Sequence, residues 1–384
     1  MKQVKVALAS HAQAYVIKIG RGLLNKVGDE ARRSLRGRGS RAVIISNARV
    51  FALSGQVVRD SLLRQGFSVS HWLMGEGERF KSLRTLDKAL AFLSRMGLER
   101  NDMVVALGGG VVGDLAGFAA AVYLRGLPFI QVPTTLLAQI DSSVGGKTGI
   151  NLAAGKNLVG AFHQPSAVVI DTESLATLPE GELTAGWCEA VKNGAIGSRQ
   201  LFQDTMRFLE SAAGSQTNPA TLRYQQLESV IQAQCAFKAS IVAGDERENA
   251  ARKDHRSRRI LNFGHTVGHA LEALTGYRRF RHGEAVGHGM MVASEISKNL
   301  GLLAPSELEL LREAIRLCGP LPPAGNIDEQ AIMEITSRDK KSVDGRVQWV
   351  LLERIGRARI VDGLEIEPKL LRASLRAALK ESSR

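Results

Sequence analysis

Four short runs rich in β-branched and aliphatic residues recur through the first half of the chain: Arg41-Ala-Val-Ile-Ile-Ser46, Met103-Val-Val-Ala-Leu107, Phe129-Ile-Gln-Val132 and Ala167-Val-Val-Ile170. None alternates cleanly between polar and apolar positions, so neither face of such a strand is suited to water. That pattern belongs to a parallel sheet covered on both sides. Between the runs, Ser82 to Met96 carries Leu83, Leu86, Ala89, Leu90 and Leu93 on one helical stripe. Strand–helix alternation of this kind predicts an α/β layer domain. After Pro179 the pattern turns to long helices over 183–197, 221–244, 264–274, 284–300, 306–318 and 368–380, with Trp349-Val-Leu-Leu352 a lone strand-like run among them. At 384 residues the chain exceeds the usual single core. We therefore expect an α/β domain over residues 1–179 and a mostly α-helical domain over 180–384, joined near Leu178-Pro179.

Composition removes several function classes. The longest apolar runs are about five to eight residues, too short to span a bilayer. The N-terminus, Met1 to Ser10, alternates like a strand and lacks the apolar segment of a signal peptide, which suggests a cytoplasmic protein. Cys188, Cys235 and Cys318 are far apart and form no CxxC, which fits packed, reduced thiols rather than a disulfide framework or a cysteine metal site. The formal charge of +13, from 51 basic and 38 acidic residues, raises nucleic-acid binding as one reading. The basic residues are dispersed, however, and no aromatic-interleaved stripe or zinc-finger spacing appears. Attraction of an anionic small molecule is the more economical use of the charge.

Two glycine-rich turns bear on chemistry. Gly108-Gly-Gly-Val-Val-Gly113 follows a strand and satisfies G-x-G-x-x-G, so backbone N–H groups at a helix start could meet a pyrophosphate. A dinucleotide fingerprint would place an acid about 20 residues on, and Gln131-Val-Pro-Thr-Thr135 stands there instead. Asp114 could take over contact to the ribose or nicotinamide; a purely structural tight turn is the alternative. Downstream, Lys147 and Lys156-Asn157 sit in glycine- and serine-rich turns, a combination that suits phosphate or carboxylate. Gly145-Gly-Lys-Thr148 resembles the end of a P-loop but lacks its first glycine, so an ATPase is rejected.

Three histidines, His265, His269 and His282, fall within eighteen positions. The first two are four apart and would share one face of a helix, while His282 would return to them after a turn at Thr275-Gly276. Such a cluster is a way to hold a divalent transition metal, with ordinary core packing as the alternative. Glu189, three before Lys192 in an apolar segment, could complete a Glu-His-His set; alternatively the two form a surface i,i+3 pair. A metal site beside a dinucleotide-type turn points to a redox-capable enzyme.

Taken together, the chain resembles the 3-dehydroquinate synthase family over nearly its full length. The segments that carry the resemblance are Gly77-Glu78 with Lys81-Ser82, Leu107 to Asp114, Tyr123-Leu-Arg-Gly126, Gln131 to Leu137, Asp141 to Thr148, Gly155-Lys-Asn157, Lys238, Asp245-Glu246, Leu261 to Thr266, His282 to Val286 and Asp339-Lys-Lys341. The resemblance implies a dinucleotide-binding α/β domain and a helical metal-binding domain, with NAD and Zn²⁺ or Co²⁺ as cofactors. It also implies a homodimer in the cytoplasm, on the shikimate pathway. The implied reaction turns 3-deoxy-D-arabino-heptulosonate 7-phosphate into 3-dehydroquinate and phosphate, by transient oxidation, elimination, reduction, ring opening and intramolecular aldol closure. By the same resemblance, Glu189, His265 and His282 hold the metal. Asp141, Lys147, Asn157, Lys192, Lys238, Arg258, Asn262 and His269 surround the substrate, joined by Lys156, Lys340 or Lys341, and Arg125 from a partner subunit. Asn47, Glu78, Lys81, Gly109, Gly110, Asp114, Thr134, Thr135 and Thr177 match NAD contacts, with Lys147 and Lys156 beside them.

The chain departs from the family pattern between Asp245-Glu246 and Asn262, where it is about six residues longer and lacks the usual glycine-leucine before the substrate arginine. Arg258 is assigned by counting four back from Asn262, with Arg256 and Arg259 as alternatives; His255 reads as surface. Asn193 stands where an aromatic residue or histidine is more usual. Two other enzymes compete with the family's own reaction: an inosose- or valiolone-type sugar-phosphate cyclase, and a metal-dependent polyol dehydrogenase. Retention of Lys238, Asn262 and an arginine near 258 favours a carboxylate-bearing substrate.

Overall fold

A computed structural model describes residues 15–213, 224–249, 251–337 and 347–381. The strand expected at residues 1–10, and Lys340 and Lys341, lie outside the described residues. The four expected strands are the middle of a six-stranded parallel sheet: β2 (Arg41–Asn47), β4 (Met103–Gly108), β5 (Phe129–Pro133) and β8 (Ala167–Asp171). Two further strands, β1 (Val16–Gly20) and β3 (Ser68–Met74), close its two edges, and the order across the sheet is β1-β8-β5-β4-β2-β3. The edge strands escaped the sequence reading because each is only partly buried and so lacks the continuous apolar run of an inner strand. By contrast, every residue of β4, β5 and β8 is buried.

Side chains alternate across the sheet, as pleating demands. Val43 and Ile45 of β2 point into one core with Leu86, Leu93, Val112 and Leu115, while Ala42 and Ile44 point into another with Val27, Ala31, Val58 and Leu62. The first core is roofed by the Leu83–Arg95 and Gly110–Val122 helices, the second by the Val27–Ser34 and Gln56–Arg64 helices. The predicted stripe over Ser82–Met96 is a helix with Ser82 as its N-cap, its Oγ accepting from Thr85 N. Its first member departs from expectation: Leu83 is 55% exposed.

Between β5 and β8 the chain makes a two-stranded antiparallel hairpin, β6 (Lys147–Leu152) and β7 (Gly155–Phe162). This hairpin carries Lys147, Lys156 and Asn157, which the sequence reading placed in turns. Past Pro179 the helices run as expected, with Glu180–Gly197 and His282–Asn299 at the centre. Both central helices are buried nearly all round, and so show no strong polar face. The Trp349 run is not a lone strand but β9 (Gln348–Arg354), paired with the more charged β10 (Arg357–Asp362). Among the described residues, no helix is long and apolar enough to cross a membrane.

One buried carboxylate joins the loop before β4 to the start of β2. Asp102, 2% exposed, accepts from Ser40 N and Arg41 N at Oδ1 (3.0 and 2.9 Å) and from Glu99 N at Oδ2 (2.8 Å). Burial alone would raise this carboxyl, but the three backbone donors outweigh it and hold it below its ordinary value. A depressed carboxyl contributes stability that is present above the unfolded pKa, about 3.9, and is lost as pH falls through the lower folded value. Asp102→Asn should cost about 1–3 kcal/mol near neutral pH, since the amide nitrogen would face the Glu99 donor. In urea melts the deficit should shrink below about pH 4; an equal deficit at pH 7 and pH 3 would refute this account of the charge.

Candidate active site

The glycine turn after β4 leads directly into the Gly110–Val122 helix, so the first N–H groups of that helix, which have no partner within it, lie at the C-terminal edge of the sheet. A side chain at either glycine there would be crowded. A Cβ on Gly109 would lie 3.0 Å from Thr135 Cγ2, and one on Gly110 would lie 3.0 Å from Ser142 Oγ. Thr134 joins the same rim through its N–H to Gly108 O, 3.0 Å, and Asn47 caps the turn after β2 by accepting from Val50 N. Beyond the helix start, buried Lys81 bonds both Asp114 and Asn157 Oδ1. Burial would lower the Lys81 ammonium, but Asp114 and Glu78 outweigh it and hold it raised. Glu78 accepts from Asn151 Nδ2 at 2.7 Å, which ties this corner to the β6–β7 hairpin. Thr177 is exposed, bonded only weakly to Ser174 O.

On the helical side, Glu189 stands midway along the Glu180–Gly197 helix, and His265 opens the His265–Leu274 helix. Gly264 precedes it at φ +77°, and a Cβ there would lie 2.7 Å from Met290 N. His282 is not in a loop: it is the first residue of the His282–Asn299 helix, whose start moves two residues back from expectation. The cause is Glu284, whose Oε2 accepts from Arg281 N at 2.7 Å and closes the N-terminus. This helix lies hard against the Glu189 helix. A Cβ on Gly283 would be 1.9 Å from Ala185 O, one turn before Glu189.

The result is a convergence of lone pairs. His265 Nε2 and His282 Nε2 each lie 3.7 Å from Glu189 Oε1. Each ring directs its other nitrogen at an acceptor: His265 Nδ1 at Phe263 O (3.1 Å) and His282 Nδ1 at Glu272 Oε2 (3.2 Å). Both Nδ1 atoms therefore donate, so in the neutral rings the lone pair is on Nε2 and faces the carboxylate. Glu189 is 1% exposed, and neither of its oxygens makes a hydrogen bond, although Lys192 Nζ sits 2.5 Å from Oε2 as an ion pair without hydrogen-bond alignment. A buried carboxylate with two imidazole nitrogens turned toward it is a donor set that a divalent cation would fit. His269 shares the cluster, with its ring 5.4 Å from His265 and 5.7 Å from His282, centre to centre. A donor set of His265, His269 and His282 within 4.8 Å is thus also compatible with a metal. Since Glu189 and Lys192 are both buried, the surface-pair alternative is excluded.

The cations gather beside this cluster. Lys238 Nζ lies 2.7 Å from Asp141 Oδ1 and donates to Asp141 O at 2.6 Å. Burial would raise the Asp141 carboxyl, but Lys238 and Lys192 override it and hold it well below the usual carboxylate range. Arg258, 2% exposed, donates to Gly145 O (2.9 Å) and Glu246 O (2.7 Å), and Gly145 has no room for a Cβ beside the guanidinium. Of the three arginines weighed, Arg256 is exposed, along with His255, and Arg259 is buried. Arg258 is the one assigned by counting, and it is hydrogen-bonded to the Gly145 loop. Arg125 is exposed, in left-handed backbone at φ 67°.

Two acids in this region were missed in the sequence. Glu248 pairs with Lys147 and accepts from Asn262 Nδ2 at 3.3 Å. Glu272, 2% exposed, bridges Lys156 Nζ (2.9 Å) and His282. Burial would raise Glu272, but His282 and Lys156 bring it down to about 2. Its signal was available: it lies seven residues after His265 and three after His269, on the same helical face.

Comparison with known proteins follows this geometry. Residues 71–185 match the profile described as 3-dehydroquinate synthase N-terminal, and residues 186–342 the one described as 3-dehydroquinate synthase C-terminal. The chain belongs to the 3-dehydroquinate synthase family. It is 43% identical to 3-dehydroquinate synthase of Pelotomaculum thermopropionicum over 95% of this chain and 94% of the relative. It is 45% identical to that of Geobacter metallireducens over 91% and 93%. Among solved structures, 2-deoxy-scyllo-inosose synthase complexed with carbaglucose-6-phosphate, NAD⁺ and Co²⁺ matches with a TM-score of 0.77 at 26% identity, covering 94% of this chain and 96% of that one. A glycerol dehydrogenase from Schizosaccharomyces pombe shares the fold at a TM-score of 0.68 and 18% identity, covering 96% and 89%.

The Gly283 contact yields a test. Gly283→Ala should push the His282 helix away from Glu189 and lower the bound Zn²⁺ per chain well below wild type, measured by metal analysis after dialysis. Wild-type stoichiometry in the folded variant would show that the close approach is not what assembles the cluster.

Proposed function

We propose that this member of the family converts 3-deoxy-D-arabino-heptulosonate 7-phosphate to 3-dehydroquinate and phosphate, using bound NAD and a divalent metal, Zn²⁺ or Co²⁺. The observation that carries this reading is the meeting of Glu189 Oε1 with two imidazole Nε2 atoms, 3.7 Å away, near the buried cations Lys192, Lys238 and Arg258. Glu189, His265 and His282 would hold the metal. When bound, metal and NAD would supply Lewis-acid polarisation of a substrate hydroxyl and a reversible hydride acceptor.

The chain's own residues do the rest. Lys147, on the exposed start of β6, gives up Glu248 for a phosphate oxygen and balances the charge that develops as phosphate departs. Lys238 and Lys192 keep Asp141 ionised in the cleft, where it accepts a hydrogen bond from a substrate hydroxyl and fixes the ring. Arg258 and Asn262 receive the carboxylate, the guanidinium offering a planar fork. His269, Lys156 and Asn157 complete the enclosure, with Lys340 or Lys341 and a partner subunit's arginine at position 125 on the anionic groups. Glu78, Lys81, Asp114, Thr135 and Thr177 would line the dinucleotide with the Gly109-Gly110 turn, Asn47 and Thr134. The two units would meet near Leu178-Pro179. Three buried free cysteines support a reducing, cytoplasmic setting.

Likeness to an inosose synthase keeps a cyclase acting on a substrate without a carboxylate as the second reading. Retention of Arg258 at the Gly145 loop favours the carboxylate.

Phosphate release from the heptulosonate phosphate should show many turnovers per NAD⁺, stop with chelator and return with Zn²⁺. Release from a hexose or heptulose phosphate in its place would favour the second reading. Lys147→Ala should cut kcat on the order of 100-fold or more while NAD⁺ affinity stays unchanged. Undiminished turnover would remove Lys147 from the phosphate site.

A further inference from the structure

We infer that Glu272 is a positioning residue that orients His282 for metal binding and ties that ring to the β6–β7 hairpin. The inference rests on the reading that Glu189, His265 and His282 hold the metal. Glu272 is 2% exposed and projects from the helix that carries His265 and His269. One of its oxygens lies 3.2 Å from His282 Nδ1, and the other accepts from Lys156 Nζ at 2.9 Å. A carboxylate can only accept, so the imidazole must donate through Nδ1, which turns Nε2 toward Glu189 Oε1. An imidazole held this way binds metal better, because its tautomer and ring angle are set beforehand.

The same carboxylate spans two parts of the fold. Lys156 belongs to β7, its Nζ lies 3.9 Å from Glu78 Oε1, and it packs over the Tyr277 ring at 4.5 Å. Glu78, Lys156, Glu272 and His282 thus form a continuous line of polar contacts from the glycine-turn side of the site to the histidine cluster. His265 receives its corresponding restraint from a backbone carbonyl of its own chain segment, Phe263 O. His282 has no such local acceptor at Nδ1 and draws on a side chain ten residues away.

The test is Zn²⁺ affinity, measured by competition with a chromogenic chelator on apo Glu272→Gln and Glu272→Ala, with His265→Ala as reference. We expect metal Kd to rise about 10- to 100-fold in both Glu272 variants. In the Co²⁺-loaded proteins the visible ligand-field bands should shift, while NAD⁺ affinity stays at the wild-type value. Should Glu272→Ala not fold, Glu272→Gln carries the test, since its amide still fills the space but cannot accept from both partners. Wild-type metal affinity and unshifted Co²⁺ bands in a folded Glu272 variant, with metal lost from His265→Ala, would overturn the positioning role. Metal retained in His265→Ala would instead overturn the ligand assignment beneath it.

Discussion

The meeting of Glu189 Oε1 with His265 Nε2 and His282 Nε2 is the contact on which the helical half of this protein turns. These atoms come from three helices, with the carboxylate buried and the two rings partly exposed. They stay together because packing around them is close. Gly264 and Gly283 remove the side chains that would keep the helices apart, and Glu284 fixes where the His282 helix begins. Imidazole and carboxylate donors gathered in this way suit a divalent cation, whereas the three cysteines are buried and free.

A second layer of charge surrounds that spot and has the opposite sign. Lys192, Lys238 and Arg258 are each almost fully buried, an expensive condition for cations in a protein interior. Each is paired with Glu189, Asp141 or backbone carbonyls of the Gly145 loop, so none stands alone. The formal +13 of the chain therefore has a local counterpart in these buried cations, which net charge alone could not reveal.

Much of the fold was legible because its signals are local. Buried inner strands declare themselves as continuous apolar runs, and the Leu83–Arg95 helix by a stripe and a serine cap. The edges β1 and β3, the β6–β7 hairpin and β10 were missed for the converse reason: each is half-solvated or charged and so lacks a continuous apolar run, and β1 pairs with a strand about 150 residues away. In the site, the i,i+4 pair His265 and His269 needed only helical periodicity. Glu248 and Glu272 were missed because an acidic residue reads as surface until a buried cation or imidazole is placed beside it.

From the sequence alone came the inner strands, the glycine turn, the histidine pair, the long helices and, through motif order, the family. Those features depend on residue periodicity and on spacings within one element, which survive without a fold. Only the tertiary structure decided that Glu189 and Lys192 are buried rather than a surface pair, that Arg258 reaches the Gly145 loop while Arg256 does not, and that His282 faces Glu189 with Nε2. These are contacts between segments separated by up to about a hundred residues or more. They depend on how closely helices approach and which atoms water is kept from, quantities set by packing.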